Sequence, residues 1–308
     1  MKILFSAPED DWGDYRDVLP AALVEAGIGA DVVREAAPET VDYIVYAPND
    51  RLHDFAPYTR TRAVLSLWAG VERIVGNPTL TQPLTRMVDA GLERGMVEYV
   101  TGHVLRHHLG MDAHVVNPAR DWHPAPPPLA ADRPVTLLGL GALGRACAQT
   151  LAGLGFPVTG WSRTAKKIDG ILCLSGEDGL VGALSDAQIV VALLPLTAET
   201  ENLLDADRLA LPARGAALIN PGRGRLIDDD ALLAALDAGW IGHATLDVFR
   251  TEPLPLDHPY WRHPRVTVTP HVASATRPGT AARVIAENIR RAEAGEPLLY
   301  LVDRARGY

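Results

Sequence analysis

Short runs of β-branched and apolar residues alternate with longer stretches of helical spacing along this 308-residue chain. In the first hundred residues KILFSAP (2–8), ADVVRE (30–35), VDYIVYAP (41–48) and AVLSLWAG (63–70) read as strands, most of them closed by proline or glycine. Between the first two, YRDVLPAALVEAG has helical periodicity and stops at Gly27, a residue suited to a C-terminal cap. Strands alternating with helices predict a parallel sheet covered by helices.

The segment 95–115, GMVEYVTGHVLRHHLGMDAHV, predicts one long helix. It is followed by NPARDWHPAPPPLAADRP, whose six prolines stop a helix and favour extended chain. At residue 134 the alternation restarts with PVTLLGLG and runs through ILCLSG, QIVVALLPL, GAALIN, HATLDVF and RVTVTPHVA. Helices are expected at 143–154, 178–186, 205–211 and 228–238, and RPGTAARVIAENIRRAEAG supplies a last amphipathic helix. The length exceeds what one core usually serves, so the long helix and the proline segment read as the link between two units.

Composition narrows the classes. Apolar residues make up 47% and charged residues 22%, as in ordinary globular chains. A net charge of −9 argues against broad nucleic-acid affinity but leaves room for a small cationic pocket. Cys147 and Cys173 stand far apart in apolar settings without metal-ligand spacing, and read as free thiols. The N-terminal apolar run is too short for a signal peptide, and no stretch approaches the roughly 20 apolar residues that span a bilayer. The expectation is a cytoplasmic protein with no membrane, metal or nucleic-acid partner.

Gly139-Leu-Gly141-Ala-Leu-Gly144 closes one expected strand and opens a helix, the context in which G-x-G-x-x-G signals a dinucleotide site. The first glycine permits a tight turn, the second lets backbone approach a pyrophosphate, and the third lets helix and strand pack closely. The other reading is a glycine turn that binds nothing. About twenty residues on, where a carboxylate would hold a ribose diol, the chain has Trp161, Ser162 and Arg163, with Lys166 and Lys167 close behind. A hydroxyl and a guanidinium suit a 2′-phosphate, so this turn predicts a preference for NADP(H) with NAD(H) possible, the alternative being a solvated cationic turn.

INPGRG, LDVFRTEP and TPHVAS each follow an apolar strand, which puts Arg223, Asp247, Glu252 and His271 at the carboxyl ends of parallel strands. Arg223 offers a planar donor fork for a carboxylate and its α-carbonyl. His271 is an imidazole, the side chain that exchanges protons near neutral pH, and Glu252 beside it would favour its charged form. Singly, each has an ordinary structural reading; together they suggest one crevice.

GLGALG, PLTAET, INPGRG, LDVFRTEP and TPHVAS, in this order and spacing, resemble the D-isomer-specific 2-hydroxyacid dehydrogenase family. LWAGVERIV, TRMVDAG with MVEY, GWSR and HPYWRHPRVTVTPHVAS are similar to its glyoxylate/hydroxypyruvate reductase type. The resemblance implies two Rossmann-like doubly wound parallel-sheet domains with a cleft between them. The substrate domain would be 1–98 plus 275–308 and the dinucleotide domain 99–274. It implies that Arg223 orients a 2-keto acid, that His271 protonates it, and that Glu252 holds His271 charged. Cofactor positions carry over to Gly139, Gly141, Ala142, Leu143 and Gly144, to Trp161, Ser162, Arg163 and Lys166, and to Leu194, Pro195 and Thr200. Asp247 would touch the nicotinamide carboxamide. Backbone N–H groups of Ala69, Gly70 and Val71 would cradle the substrate carboxylate, with Trp68 as a wall and Arg86 a second candidate for that anion. The implied activity is NADPH-dependent reduction of glyoxylate or hydroxypyruvate by a homodimer. A broader 2-keto-acid reductase, or a nucleotide-sensing scaffold of the corepressor type, are the alternatives. The segment DWHPAPPP departs from the family's usual pattern after the long helix.

Overall fold

The computed structural model describes residues 1–115, 117–120, 122 and 124–307, so Asp121 and His123 of the proline-rich segment and Tyr308 lie outside the described residues. The chain divides into two compact units, Met1–Leu92 with Ala275–Tyr308, and Glu93–Ser274.

Unit 1 contains β1 (Lys2–Ser6), α1 (Glu9–Tyr15), α2 (Val18–Glu25), β2 (Asp31–Val33), β3 (Tyr43–Tyr46), β4 (Ala63–Ser66) and β5 (Leu84–Thr85). The start of α3 (Ala90–His108) and, from the end of the chain, α9 (Pro278–Ala294) complete it. Its sheet has the order β2-β1-β3-β4-β5, all parallel. Successive residues point to opposite faces of a strand, and the apolar runs use both. Ile3, Phe5, Tyr43, Val45 and Leu65 enter one cluster with Ile285 and Ile289 of α9, while Leu4, Ile44 and Val64 enter another with Phe55 and Leu80. Each such Leu, Ile or Val side chain removed from water stabilises the fold by about 1.5–3 kcal/mol.

Unit 2 continues α3 and adds α4 (Asp112–Val115), β6 (Val135–Leu138), α5 (Ala142–Gly153), β7 (Val158–Trp161), β8 (Leu172–Leu174), α6 (Gly176–Leu184) and β9 (Ile189–Ala192). Then follow α7 (Ala206–Leu209), β10 (Ala216–Asn220), α8 (Asp229–Asp237), β11 (Ile241–Leu246) and β12 (Val266–Val268). The seven strands are parallel in the order β12-β11-β10-β9-β6-β7-β8. Leu137, Ile189, Val191 and Ile219 pack on one face, and Leu138, Val190, Ala192 and Leu218 on the other, so both faces are covered. The order of connection reverses between β9 and β6, the point at which open parallel sheets bind ligands. Both units are thus doubly wound α/β folds.

Three elements differ from the expected pattern. A helix, α1, precedes the anticipated 15–27 stretch, which is helical only from Val18. Its acidic first turn, Glu9, Asp10 and Asp11, complements the positive end of a helix dipole, and Trp12 and Tyr15 stack on Phe5 with centroids 5.3 and 5.6 Å away. The anticipated 95–115 helix starts earlier, at Ala90, and ends at His108. The Asp89 side chain accepts the N–H groups of Gly91 and Leu92 at 2.8 and 3.1 Å, and Gly110, in a left-handed conformation (φ 61), breaks the helix before α4. The two-residue strand β5 is too short to leave a periodic trace in the sequence.

Candidate active site

In unit 2 the hydrogen-bond ladder of β10, β11 and β12 runs past the last strand residues. The Asp247 N–H donates to the Asn220 carbonyl at 3.1 Å, and the His271 N–H to the Asp247 carbonyl at 2.9 Å. The segments carrying Arg223, Asp247 and His271 therefore leave the sheet side by side at its carboxyl edge.

Two glycines set the Arg223 loop. A Cβ on Gly222 would lie 2.7 Å from the Ala192 carbonyl oxygen, and one on Gly224 would lie 2.0 Å from the Phe249 backbone. The Asn220 amide closes the loop, accepting from the Gly222 N–H at 3.1 Å and donating to the Arg223 carbonyl at 2.9 Å. Arg223 is half-buried and donates to the Gly222 carbonyl at 2.7 Å.

His271 sits at φ 55, a left-handed conformation that costs a non-glycine residue about 1–3 kcal/mol and persists only where neighbours impose it. Its Nδ1 lies 2.8 Å from Glu252 Oε2, and Glu252 Oε1 accepts the Phe249 N–H at 2.9 Å. The carboxylate thus fixes the ring from the Nδ1 side, while Nε2 has no partner among the described residues and the side chain is 53% exposed. An imidazole held in this way can present one N–H to a ligand.

Asp247 is wholly buried. Its Oδ1 accepts from Thr269 Oγ1 at 2.6 Å and the Val272 N–H at 2.8 Å, and its Oδ2 accepts from the Ala273 N–H at 2.9 Å. This carboxylate is committed to the loop on either side of His271.

At the switch point Gly139 has φ 110, and a Cβ there would lie 2.5 Å from the Leu193 carbonyl oxygen. A Cβ on Gly144 would lie 1.8 Å from the Gly139 carbonyl oxygen, so helix and strand touch there. Gly141 differs: a Cβ would meet nothing within 4 Å, so the space beside it is open. It begins α5 with no side-chain cap, leaving the N–H groups of Ala142, Leu143 and Gly144 without helical acceptors. An uncapped helix start beside open space fits a dinucleotide pyrophosphate. Leu194 follows β9 beside Gly139, and the PLTAET turn is tied by Thr200 Oγ1, which donates to the Pro195 carbonyl at 2.7 Å.

The turn after β7 divides its roles. The Trp161 indole is buried and donates to the Gly176 carbonyl at 2.9 Å, so only its backbone borders the turn's outer side. Ser162 is also buried and donates to the Thr164 carbonyl at 2.9 Å, whereas Arg163, Lys166 and Lys167 are exposed. Glu199 of the PLTAET turn is held below the usual carboxylate range by a hydrogen bond from Thr197, its own backbone N–H and the nearby Arg163 charge.

Unit 1 carries the remaining candidates. Beyond β4, Ser66 Oγ accepts the Trp68 N–H at 3.0 Å and donates to the Trp68 carbonyl at 3.1 Å, which turns the chain through Ala69, Gly70 and Val71. Thr276 Oγ1 donates to the Leu67 carbonyl at 3.0 Å, and the Met87 N–H to the Trp68 carbonyl at 2.9 Å. The last contact brings the neighbour of Arg86 onto this loop. Burial pushes the Arg86 guanidinium below the usual arginine range, and its side chain has no hydrogen bond or ion pair among the described residues. Neither Ser66 nor Thr276 stands out in the sequence, where each is one small hydroxyl among many.

Residues 102–273 match the family model of the D-isomer specific 2-hydroxyacid dehydrogenase NAD-binding domain. Over its full length the chain is 37% identical to the glyoxylate/hydroxypyruvate reductase A of Serratia proteamaculans, covering 100% of both. A D-isomer specific 2-hydroxyacid dehydrogenase from Xanthobacter autotrophicus Py2, solved in complex with NADPH and MES, superposes with a TM-score of 0.91 at 42% identity, covering 99% of each chain. The NADPH-dependent glyoxylate/hydroxypyruvate reductase of Sinorhizobium meliloti, in complex with NADP and sulfate, gives 0.87 at 32% identity, covering 100% of this chain and 99% of the other. The chain belongs to the D-isomer specific 2-hydroxyacid dehydrogenases, and is an oxidoreductase.

Proposed function

We propose that this protein reduces glyoxylate and hydroxypyruvate to the corresponding 2-hydroxy acids with NADPH. The observation that carries the reading is the Glu252–His271 pair, 2.8 Å apart, at the carboxyl edge of the sheet that also bears the open Gly141 turn. Full-length similarity to reductases of this name, one of them solved with NADP, supports the substrate and coenzyme.

The Gly139–Gly144 turn would hold the pyrophosphate, with Leu194, Pro195 and Thr200 alongside. Arg163 and Lys166 would take the 2′-phosphate, and Asp247 would lie toward the nicotinamide carboxamide. When bound, NADPH supplies the hydride that makes the new C–H bond. As the carbonyl π bond breaks, the His271 imidazolium, stabilised through Nδ1 by Glu252, gives its Nε2 proton to the oxygen, and the neutral ring then takes up a proton from solvent. Arg223 binds the keto-acid carboxylate and offsets charge developing on the oxygen. Within unit 1, the backbone of Ala69, Gly70 and Val71, with the Arg86 guanidinium and the Trp68 ring, would be candidates to bind a carboxylate. A cytoplasmic homodimer completes the proposal, the exposed apolar side chains of Met111, Val115 and Trp122 offering surface for a second copy.

The test is a panel of 2-keto acids assayed with NADPH and NADH. Glyoxylate and hydroxypyruvate should give the highest kcat/KM, and His271→Ala should lower kcat by about 10²–10⁴-fold with NADPH affinity kept. Preference for pyruvate or phenylpyruvate would move the substrate class; an active His271→Ala enzyme would remove the acid.

A further inference from the structure

His271 is held in a left-handed conformation, yet its own side chain is half in solvent and, among the described residues, hydrogen-bonds to Glu252 alone. Something else must impose the backbone geometry. The Val272 and Ala273 N–H groups are bound by the buried Asp247 carboxylate, at 2.8 and 2.9 Å. That carboxylate is steered in turn by the Thr269 hydroxyl at 2.6 Å. A hydroxyl has one proton, and Thr269 gives its proton to Asp247, so at the second contact it must accept. The partner there is the Tyr99 phenol of α3, 2.7 Å away, whose ionisation burial pushes up to about 12, leaving it a donor at neutral pH.

A second observation ties the same helix face to the same loop. A Cβ on Gly95 would lie 2.6 Å from Ser274 Oγ, so α3 and the end of the loop are in close contact there. Gly95 and Tyr99 are four residues apart and share one face of α3. Met96 and Val100 beside them pack in the cluster that contains Ala273. The loop from Thr269 to Ser274 is thus fastened to α3 at both ends, with His271 between.

We propose that Tyr99 and Thr269 are positioning residues for the proton donor. The relay Tyr99–Thr269–Asp247 fixes the 272 and 273 amides and so holds His271 at its left-handed angle against Glu252. The inference rests on the reading of His271 as the acid. Loss of the Thr269 hydroxyl leaves one Asp247 lone pair unsatisfied and frees the loop, whereas loss of the Tyr99 hydroxyl acts only through Thr269.

Thr269→Val, Tyr99→Phe, the double variant and Thr269→Ser would be compared with His271→Ala. Thr269→Val should lower kcat about 10–30-fold while KM for NADPH stays within two-fold, and Thr269→Ser should restore it. Tyr99→Phe should lower kcat about 3–10-fold alone and add nothing in the Thr269→Val background. In the protein without substrate or coenzyme, amide hydrogen exchange at Val272 and Ala273 should quicken about ten-fold in Thr269→Val. Wild-type kcat and exchange in both single variants, with His271→Ala inactive, would overturn the relay and spare the acid; an active His271→Ala would remove the acid itself. Should Thr269→Val fail to fold, Tyr99→Phe alone decides: unchanged kcat and exchange overturn the proposal.

Discussion

On the function proposed above, Arg163 would carry the coenzyme preference on a handful of atoms. Its neighbour Ser162 already spends its hydroxyl on the Thr164 carbonyl, so on that proposal the 2′-phosphate falls to the exposed cations Arg163 and Lys166. A charge-assisted hydrogen bond contributes about 1.5–3 kcal/mol, a factor of roughly ten or more in affinity. Arg163→Asp should raise the dissociation constant for NADPH at least about ten-fold and that for NADH by less than about three-fold, read by coenzyme fluorescence titration. Equal weakening of both would place the discrimination elsewhere. Arg223, Glu252 and His271 could be chosen as candidates from the sequence because each stands beyond an apolar strand in a recognisable motif. Tyr99 and Thr269 were not, since a tyrosine in a helix and a threonine beside proline have no meaning until α3 is seen against the end of β12.

Helix α3 shows the same limit one level up. Its glycines look alike in the sequence but meet different surroundings. Gly102 faces open space, whereas Gly95 abuts Ser274. An alanine in a helix interior is about 1 kcal/mol better than glycine, so Gly102→Ala should raise the thermal midpoint by a few degrees with kcat unchanged. Gly95→Ala gains the same propensity and loses the close approach, so its kcat should fall even if stability does not. Thermal melts and steady-state kinetics on the two variants separate these effects; indistinguishable variants would mean that Ser274 simply rotates away. Strands buried on both faces were legible as unbroken apolar runs, because the period of two disappears when both sides are covered. The acidic α1 was hidden for the opposite reason, having only Trp12 and Tyr15 to mark its inward face.

For the molecule as a whole, pH is the most direct probe of how unit 2 holds together. His107, near the end of α3, faces β11, with Nε2 2.9 Å from Thr245 Oγ1 and its ring 5.1 Å from that of His243. Burial, then the His243 and Arg106 charges, push it down to about 3, against only partial opposition from Asp112. In the unfolded chain it takes a proton near 6.5, so between those values the unfolded state binds more protons. Stability therefore rises with pH across this window and is lost as pH falls, by an amount on the order of a few kcal/mol. Urea midpoints from pH 7 to pH 4 should fall steeply in the wild type and less steeply in His107→Gln, which keeps a hydrogen bond to Thr245; parallel slopes would deny His107 this role. The doubly wound architecture was readable from strand–helix alternation, whereas this histidine cluster joins residues more than a hundred positions apart and leaves no local trace.

The return of α9 to the first sheet has a consequence for synthesis. Ala281, Ile285 and Ile289 fill the cluster built on Ile3, Phe5 and Val45, so the earliest strands to leave the ribosome lack a wall of their core until the last thirty or so residues emerge. The part of the chain made first is thereby the part finished last, and in the interval its apolar strands are the segment most in need of a chaperone.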